Sequence, residues 1–178
     1  SLVQPAVTVA GPTALSPNTG PSSGGTSVVI TGTGFITGAT VKFGSASATS
    51  VTVNSPTQIT AVSPATTSVG GYVDVTVTTS GGTSAINSKD RYTYTATTPT
   101  VSSLSPSSGV RLGGTTVVIT GTGFVSSSTV NFGATAAASV IINSPTQITA
   151  VSPAGATGKV RSEEHTSELQ SHSFISYA

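Results

Sequence analysis

Three side chains near the C-terminus have the types and spacing of a metal site. His165, Glu168 and His172 lie at i, i+3 and i+7, which is one face of a helix. Two imidazoles and a carboxylate are a donor set that zinc accepts. Against that reading, the segment around them is short and has no apolar face to hold a helix in place. Elsewhere the chemistry thins out. Residues 1–160 contain no His, Cys or Glu, so neither a Ser-His-Asp nor a Cys-His arrangement can be assembled there. Acid–base hydrolysis of sugars needs a carboxylate pair, and that stretch offers only Asp74 and Asp90. Asp74 falls on the polar side of an alternating run and Asp90 adjoins Arg91, so both are expected to be surface charges. Calcium needs six to eight oxygens, and no cluster of carboxylates supplies them.

Two glycine pairs, Gly32/Gly34 and Gly121/Gly123, resemble part of a nucleotide loop. They lack the third glycine and the following helical pattern that such a loop requires. They are expected to be turn or bulge positions after a strand. Tyr72, beside Gly70 and Gly71, is a candidate aromatic platform for a sugar. The sequence has no Trp, which argues against a dedicated sugar site. The cations Lys42, Lys89, Arg91, Arg111 and Lys159 are dispersed and the net charge is only +1. That is too few for a groove tracking phosphates, so no nucleic-acid partner is expected. No catalytic, cofactor-binding or metal residue is therefore assigned, and the chain is expected not to be an enzyme.

The elements that carry these residues are strands. Charged residues make up 6% of the chain. The apolar part is mostly Val, Ile and Ala and the polar part mostly Ser and Thr, and β-branched side chains suit a pleated, half-buried surface. Val73, Val75 and Val77 alternate with Asp74, Thr76 and Thr78, the period of a strand with one face in a core. Val28-Val29-Ile30 is apolar throughout and reads as a strand buried on both faces. Turn signals recur about every ten residues, as in a sandwich of short antiparallel strands. Strands are expected at 13–16, 27–34, 40–44, 48–53, 58–63, 72–79 and 89–95. No apolar run is long enough to span a membrane. The absence of Cys rules out a disulfide framework.

The chain also repeats itself. Ser27 to Phe35 (SVVITGTGF) recurs as Thr116 to Phe124 (TVVITGTGF), and Asn54 to Ala65 recurs unchanged as Asn143 to Ala154, both 89 residues on. That interval fits one sandwich domain and is too long for a solenoid repeat. Phe35 and Phe124 are repeat equivalents, as are Phe43 and Phe132, so they are expected in two like cores.

Several spaced motifs together resemble the IPT/TIG family of immunoglobulin-like domains. They are Pro12 to Pro17, Gly24-Gly25-Thr26, Val28 to Phe35, Val41 to Gly44, Ser55 to Pro64 and Tyr92 to Tyr94, with second-copy matches at Pro99 to Pro106, Gly113 to Thr115, Val117 to Phe124 and Val130 to Gly133. The resemblance implies an all-β fold of two tandem early-set immunoglobulin-like β-sandwich domains. The expected organisation is residues 1–11 as an N-terminal segment or the end of an upstream domain, 12–95 as domain 1, 96–98 as linker, 99–160 as an incomplete domain 2, and 161–178 as a non-native tail. The tail from Arg161 changes composition abruptly and resembles the translation of a sequencing adapter. The expected function is a non-catalytic structural or adhesive spacer of a repetitive cell-surface or secreted protein, monomeric, with a protein or glycan partner. The alternative is an accessory pair beside the catalytic domain of a secreted polysaccharide-active enzyme. DNA binding by analogy with Rel-type relatives is disfavoured for want of basic loops.

Overall fold

The computed structural model describes residues 10–155 and, by strand pairing alone, residues 173–175. The chain is all-β and divides into two compact units, with the break in the chain between Thr95 and Ala96. Each unit is taken by itself below.

In domain 1 the strands are β1 (Ala10–Ser16), β2 (Thr19–Pro21), β3 (Ser27–Thr33), β4 (Thr40–Phe43), β5 (Ala46–Ser47), β6 (Ser50–Ser55), β7 (Gln58–Val62), β8 (Tyr72–Thr79), β9 (Gly82–Thr83) and β10 (Arg91–Thr95). One sheet has the order β1-β3-β7-β6, the other β2-β10-β8-β4-β5, with β9 added to β8. All pairings are antiparallel except β10 with β2, which is parallel. The inner faces meet through Val28, Ile30, Ile59 and Ala61 on one side and Val41, Phe43, Val75, Val77, Tyr92 and Tyr94 on the other, with Phe35 among them. Phe43 and Tyr94 each meet the Tyr92 ring edge-on, with centroids 5.0 and 5.1 Å away. Such edge-to-face pairs are favourable beyond the area they bury.

Two expectations from the sequence are corrected here. Val29 is only half-buried, between fully buried Val28 and Ile30. β3 is thus an alternating strand with one covered face, because a two-layer sandwich has nothing to lay over the outer one. β3 runs between β1 and β7, and neighbours on both sides give Val29 its partial cover. The expected strand 48–53 is found as β6, shifted to Ser50–Ser55, and the two-residue β5 before it was not expected. Asp90 is also not a surface charge, as described below.

Domain 2 repeats the strand order of the first sheet. Its strands are β11 (Thr100–Ser105), β12 (Thr116–Thr122), β13 (Val130–Phe132), β14 (Thr135–Ala136), β15 (Ser139–Ser144), β16 (Gln147–Val151) and β17 (Ser173–Ile175). The order β11-β12-β16-β15 reproduces β1-β3-β7-β6. The register does too: Ile119 faces Ile148 as Ile30 faces Ile59. β13 pairs with β14 as β4 pairs with β5. On its other edge, where β4 pairs antiparallel with β8, β13 pairs in parallel with β17. Among the described residues, domain 2 has no counterpart of β8 or β10. Its buried cluster is Val117, Ile119, Phe124, Val130, Ile148 and Ala150, each identical to the domain 1 residue 89 positions earlier.

Candidate functional site

The pairing of β8 with β10 sets Arg91 opposite Asp74 and Thr93 opposite Tyr72. Period two puts all four on the outer face. There the Arg91 guanidinium lies 4.1 Å from the centre of the Tyr72 ring, within cation–π range. The Tyr72 ring is about half exposed, at 53%. Tyr72, Asp74 and Arg91, with Lys42 on neighbouring β4, form the one charged and aromatic patch that the first domain's outer sheet presents among the described residues.

Asp90 lies behind that patch and is fully buried. The reason is local. The segment before β10 turns so that Asp90 Oδ2 accepts the Asn87 N–H at 2.6 Å, while the Asn87 side chain accepts the Lys89 N–H and donates to the Pro12 carbonyl. The carboxylate closes a turn, as Asn and Asp side chains commonly do. The Asp90 carbonyl then accepts the Val75 N–H at 2.8 Å, fixing the turn to β8. Oδ1 is left with no hydrogen-bond donor. Burial raises the proton affinity of this carboxyl, the Asn87 N–H opposes that, and the charge and hydrogen-bond contact of Asp74 raise it further. The only two carboxylates of residues 1–160 thus sit on neighbouring segments, Asp74 on β8 and Asp90 in the turn just before β10, and the burial of Asp90 is what the sequence reading missed. The spacing Asn87…Asp90 was the available signal.

These groups do not add up to a catalytic set. The Asp90 carboxyl is shut away from solvent, and the described residues include no His, Cys or Glu to act beside it as nucleophile or base. Among the described residues no group of three or more His, Cys, Asp or Glu side chains gathers that would hold a metal. His165, Glu168 and His172 lie outside the described residues.

The other candidates have structural places. Gly32 sits within β3, where a Cβ would meet the tip of the Phe35 ring at 2.6 Å, and Gly121 meets Phe124 in the same way. Phe35, Phe124 and Phe43 are buried in the cores, and Phe132 packs against the second. Tyr92 and Tyr94 are both buried. Tyr94 donates its hydroxyl to the Pro64 carbonyl at 3.0 Å, and burial followed by the neighbouring Tyr92 pushes its proton affinity up, so it stays a donor. The Tyr92 hydroxyl has no partner. Lys42, Lys89, Arg91 and Arg111 are all exposed. Among the described residues no helix is long and apolar enough to cross a membrane.

Compared with known proteins, the chain matches the sequence model of the IPT/TIG domain twice, over residues 12–94 and 99–174. No curated protein matches it. Similar solved structures include the extracellular region of plexin A4, at 26% identity and a TM-score of 0.40, covering 85% of this chain and 13% of that one. SGBP-B from a xyloglucan utilization locus of Bacteroides uniformis aligns at 22% identity and a TM-score of 0.36, covering 78% of this chain and 41% of that one. The surface glycan-binding protein PbSGBP-B of Prevotella bryantii aligns at 15% identity and a TM-score of 0.40, covering 75% and 32%. The chain spans less than half the length of each of these.

Proposed function

The chain belongs to the IPT/TIG domain family, and from that premise we propose that it is a non-catalytic structural or adhesive spacer of a cell-surface or secreted repetitive protein. The observation that carries the proposal is the use made of the repeated residues. Val28, Ile30, Phe35, Val41, Ile59 and Ala61 and their counterparts 89 positions on are buried in cores. Six of the residues that the two copies share therefore hold up a sandwich in each copy. Fold class alone does not choose a function. A scaffold duplicated core for core favours a role in spacing and presentation.

In this proposal residues 12–95 and 99–160 are the working modules, residues 96–98 link them, and residues 161–178 are a non-native tail, of which Ser173–Ile175 pair with β13. The module works outside the cell as a monomer, and in this reading its partner is a protein, a glycan partner belonging to the alternative that follows. The alternative, an accessory pair of a polysaccharide-active enzyme, draws on one observation: Tyr72 offers a half-exposed ring beside Arg91 and Asp74, a combination that stacks on a sugar and bonds its hydroxyls. Calorimetric titration of the chain with a panel of soluble plant and bacterial polysaccharides separates the two. No saturable heat is expected from any of them. Saturable binding that Tyr72→Ala abolishes would replace the spacer with the accessory module.

A further inference from the structure

A spacer is pulled through its backbone, and in domain 1 the pull enters ahead of β1 and leaves after β10. The two ends of that path meet. β2 follows β1 after two residues and pairs with β10, the last strand of the domain. Thr19, Gly20 and Pro21 lie opposite Thr93, Tyr94 and Thr95, and the two strands run parallel. A bond at either end fastens the pair: the Thr93 N–H donates to the Asn18 carbonyl at 3.0 Å, and the Ser22 N–H to the Thr95 carbonyl at 2.8 Å. The Thr95 hydroxyl also donates to the Gly20 carbonyl, at 3.2 Å.

Both strands are anchored to the rest of the domain. β10 sets the rings of Tyr92 and Tyr94 into the core, and its other edge pairs with β8. β2 passes so close over them that a Cβ at Gly20 would run into the Tyr92 hydroxyl and Thr26 Oγ1. Ser22, which follows β2, is buried, so water is kept from its N–H.

We propose that the parallel pairing of β2 with β10 is the mechanical clamp of domain 1, the contact that sets the force at which the domain opens. This deepens the spacer reading and rests on it. While the pair holds, tension passes along β1 into β2, crosses to β10 and leaves at Thr95. The strands between them, β3 to β9, carry none of it. Detaching β1 from β3 lengthens the loaded stretch but loads none of those strands. Because β2 and β10 are parallel, pulling β2 from its N-terminal end and β10 from its C-terminal end slides one along the other. The bonds of a parallel pair are evenly spaced, so all of them are strained together. Strands drawn apart from one end lose their bonds one at a time instead. Forced opening is governed by the unfolding rate, so losing a clamp bond lowers the opening force more than it lowers equilibrium stability.

Stretching single molecules of the whole chain from its ends, with urea unfolding of the same proteins, tests the clamp. Ser22→Pro takes away the N–H that the Thr95 carbonyl accepts. Ile30→Val takes a methyl from the core side of β3 and leaves the clamp intact. The step that frees Ala10 to Thr95 is expected at lower force in Ser22→Pro. Relative to the fall in urea midpoint, that loss of force is expected to exceed the loss in Ile30→Val. An opening force unchanged in Ser22→Pro, or losses of force that track the urea midpoint equally in both variants, would overturn the clamp and leave the spacer standing. A chain that opens with no all-or-none step would remove both. Should Ser22→Pro not fold, the dependence of the unaltered chain's opening force on loading rate decides instead. A distance to the barrier of ~3 Å, one hydrogen-bond length, supports the clamp. A distance several times longer, as peeling rung by rung gives, refutes it.

Discussion

Two tyrosines in one strand separate packing from hydrogen bonding. Tyr92 and Tyr94 bury nearly whole rings in the same core, yet only Tyr94 has a partner for its hydroxyl. Tyr94→Phe is expected to cost about 1 kcal/mol, because it removes one intramolecular bond and leaves the Pro64 carbonyl unpaired. Tyr92→Phe removes a buried group that bonds to nothing and should be neutral or stabilising by up to ~1 kcal/mol. Urea unfolding of the two variants side by side checks the contrast, and equal losses would contradict it. At this scale the sequence was legible wherever apolar period was the signal, as at Val28, Ile30, Val75 and Val77. It was misleading at Asp90. An acid beside an arginine at the start of a strand looks like a solvated charge. Its burial depends on a turn closed through Asn87 and on β8 coming alongside, neither of which is written in hydrophobicity.

At the scale of elements, β3 is the informative strand. Three apolar residues in a row suit burial on both faces, but a sandwich covers only one. Ile30→Ala should cost ~2–5 kcal/mol as a core truncation. Val29→Ala, on the half-covered outer face, should cost less than about 1 kcal/mol. Comparable losses at both positions would restore the reading of a strand covered on both sides. The turn before β3 has a stricter requirement. Gly24 has φ of 75°, and a Cβ there would lie 2.6 Å from the backbone at Pro64 and Ala65; Gly113, with φ of 77°, stands in the same way against Pro153 and Ala154. Gly24→Ala should therefore destabilise domain 1 by more than about 1 kcal/mol, readable as a lowered thermal midpoint. Gly25, whose φ is also positive but whose surroundings are open, should lose less on the same substitution. The Gly-Gly pair was legible as a turn. That only its first member is hemmed in by main chain was not, because the neighbouring segment arrives from 40 residues further along the sequence. β2 was missed for a related reason: Thr19–Pro21 is short, contains Gly and Pro, and becomes a strand only through its parallel partner β10.

For the whole molecule, the repeat was the strongest signal in the sequence, and it determined the architecture. Identical strings 89 residues apart imply two like cores, and the registers of β3–β7 and β12–β16 are the same. What the repeat could not convey is the second sheet of domain 2, since the sequence after Ala154 stops copying the first domain and the strand beside β13 runs parallel instead of antiparallel. A spacer must hold its shape under load by its own core, with nothing bound. Stretching the chain from its two ends in a single-molecule force experiment tests this most directly. The first domain should open in one all-or-none step that frees the chain from Ala10 to Thr95, about 300 Å of contour at ~3.5 Å per residue, at a force unchanged by added polysaccharide. A gradual extension with no such step, or an opening force that climbs when a glycan is present, would contradict a self-sufficient spacer.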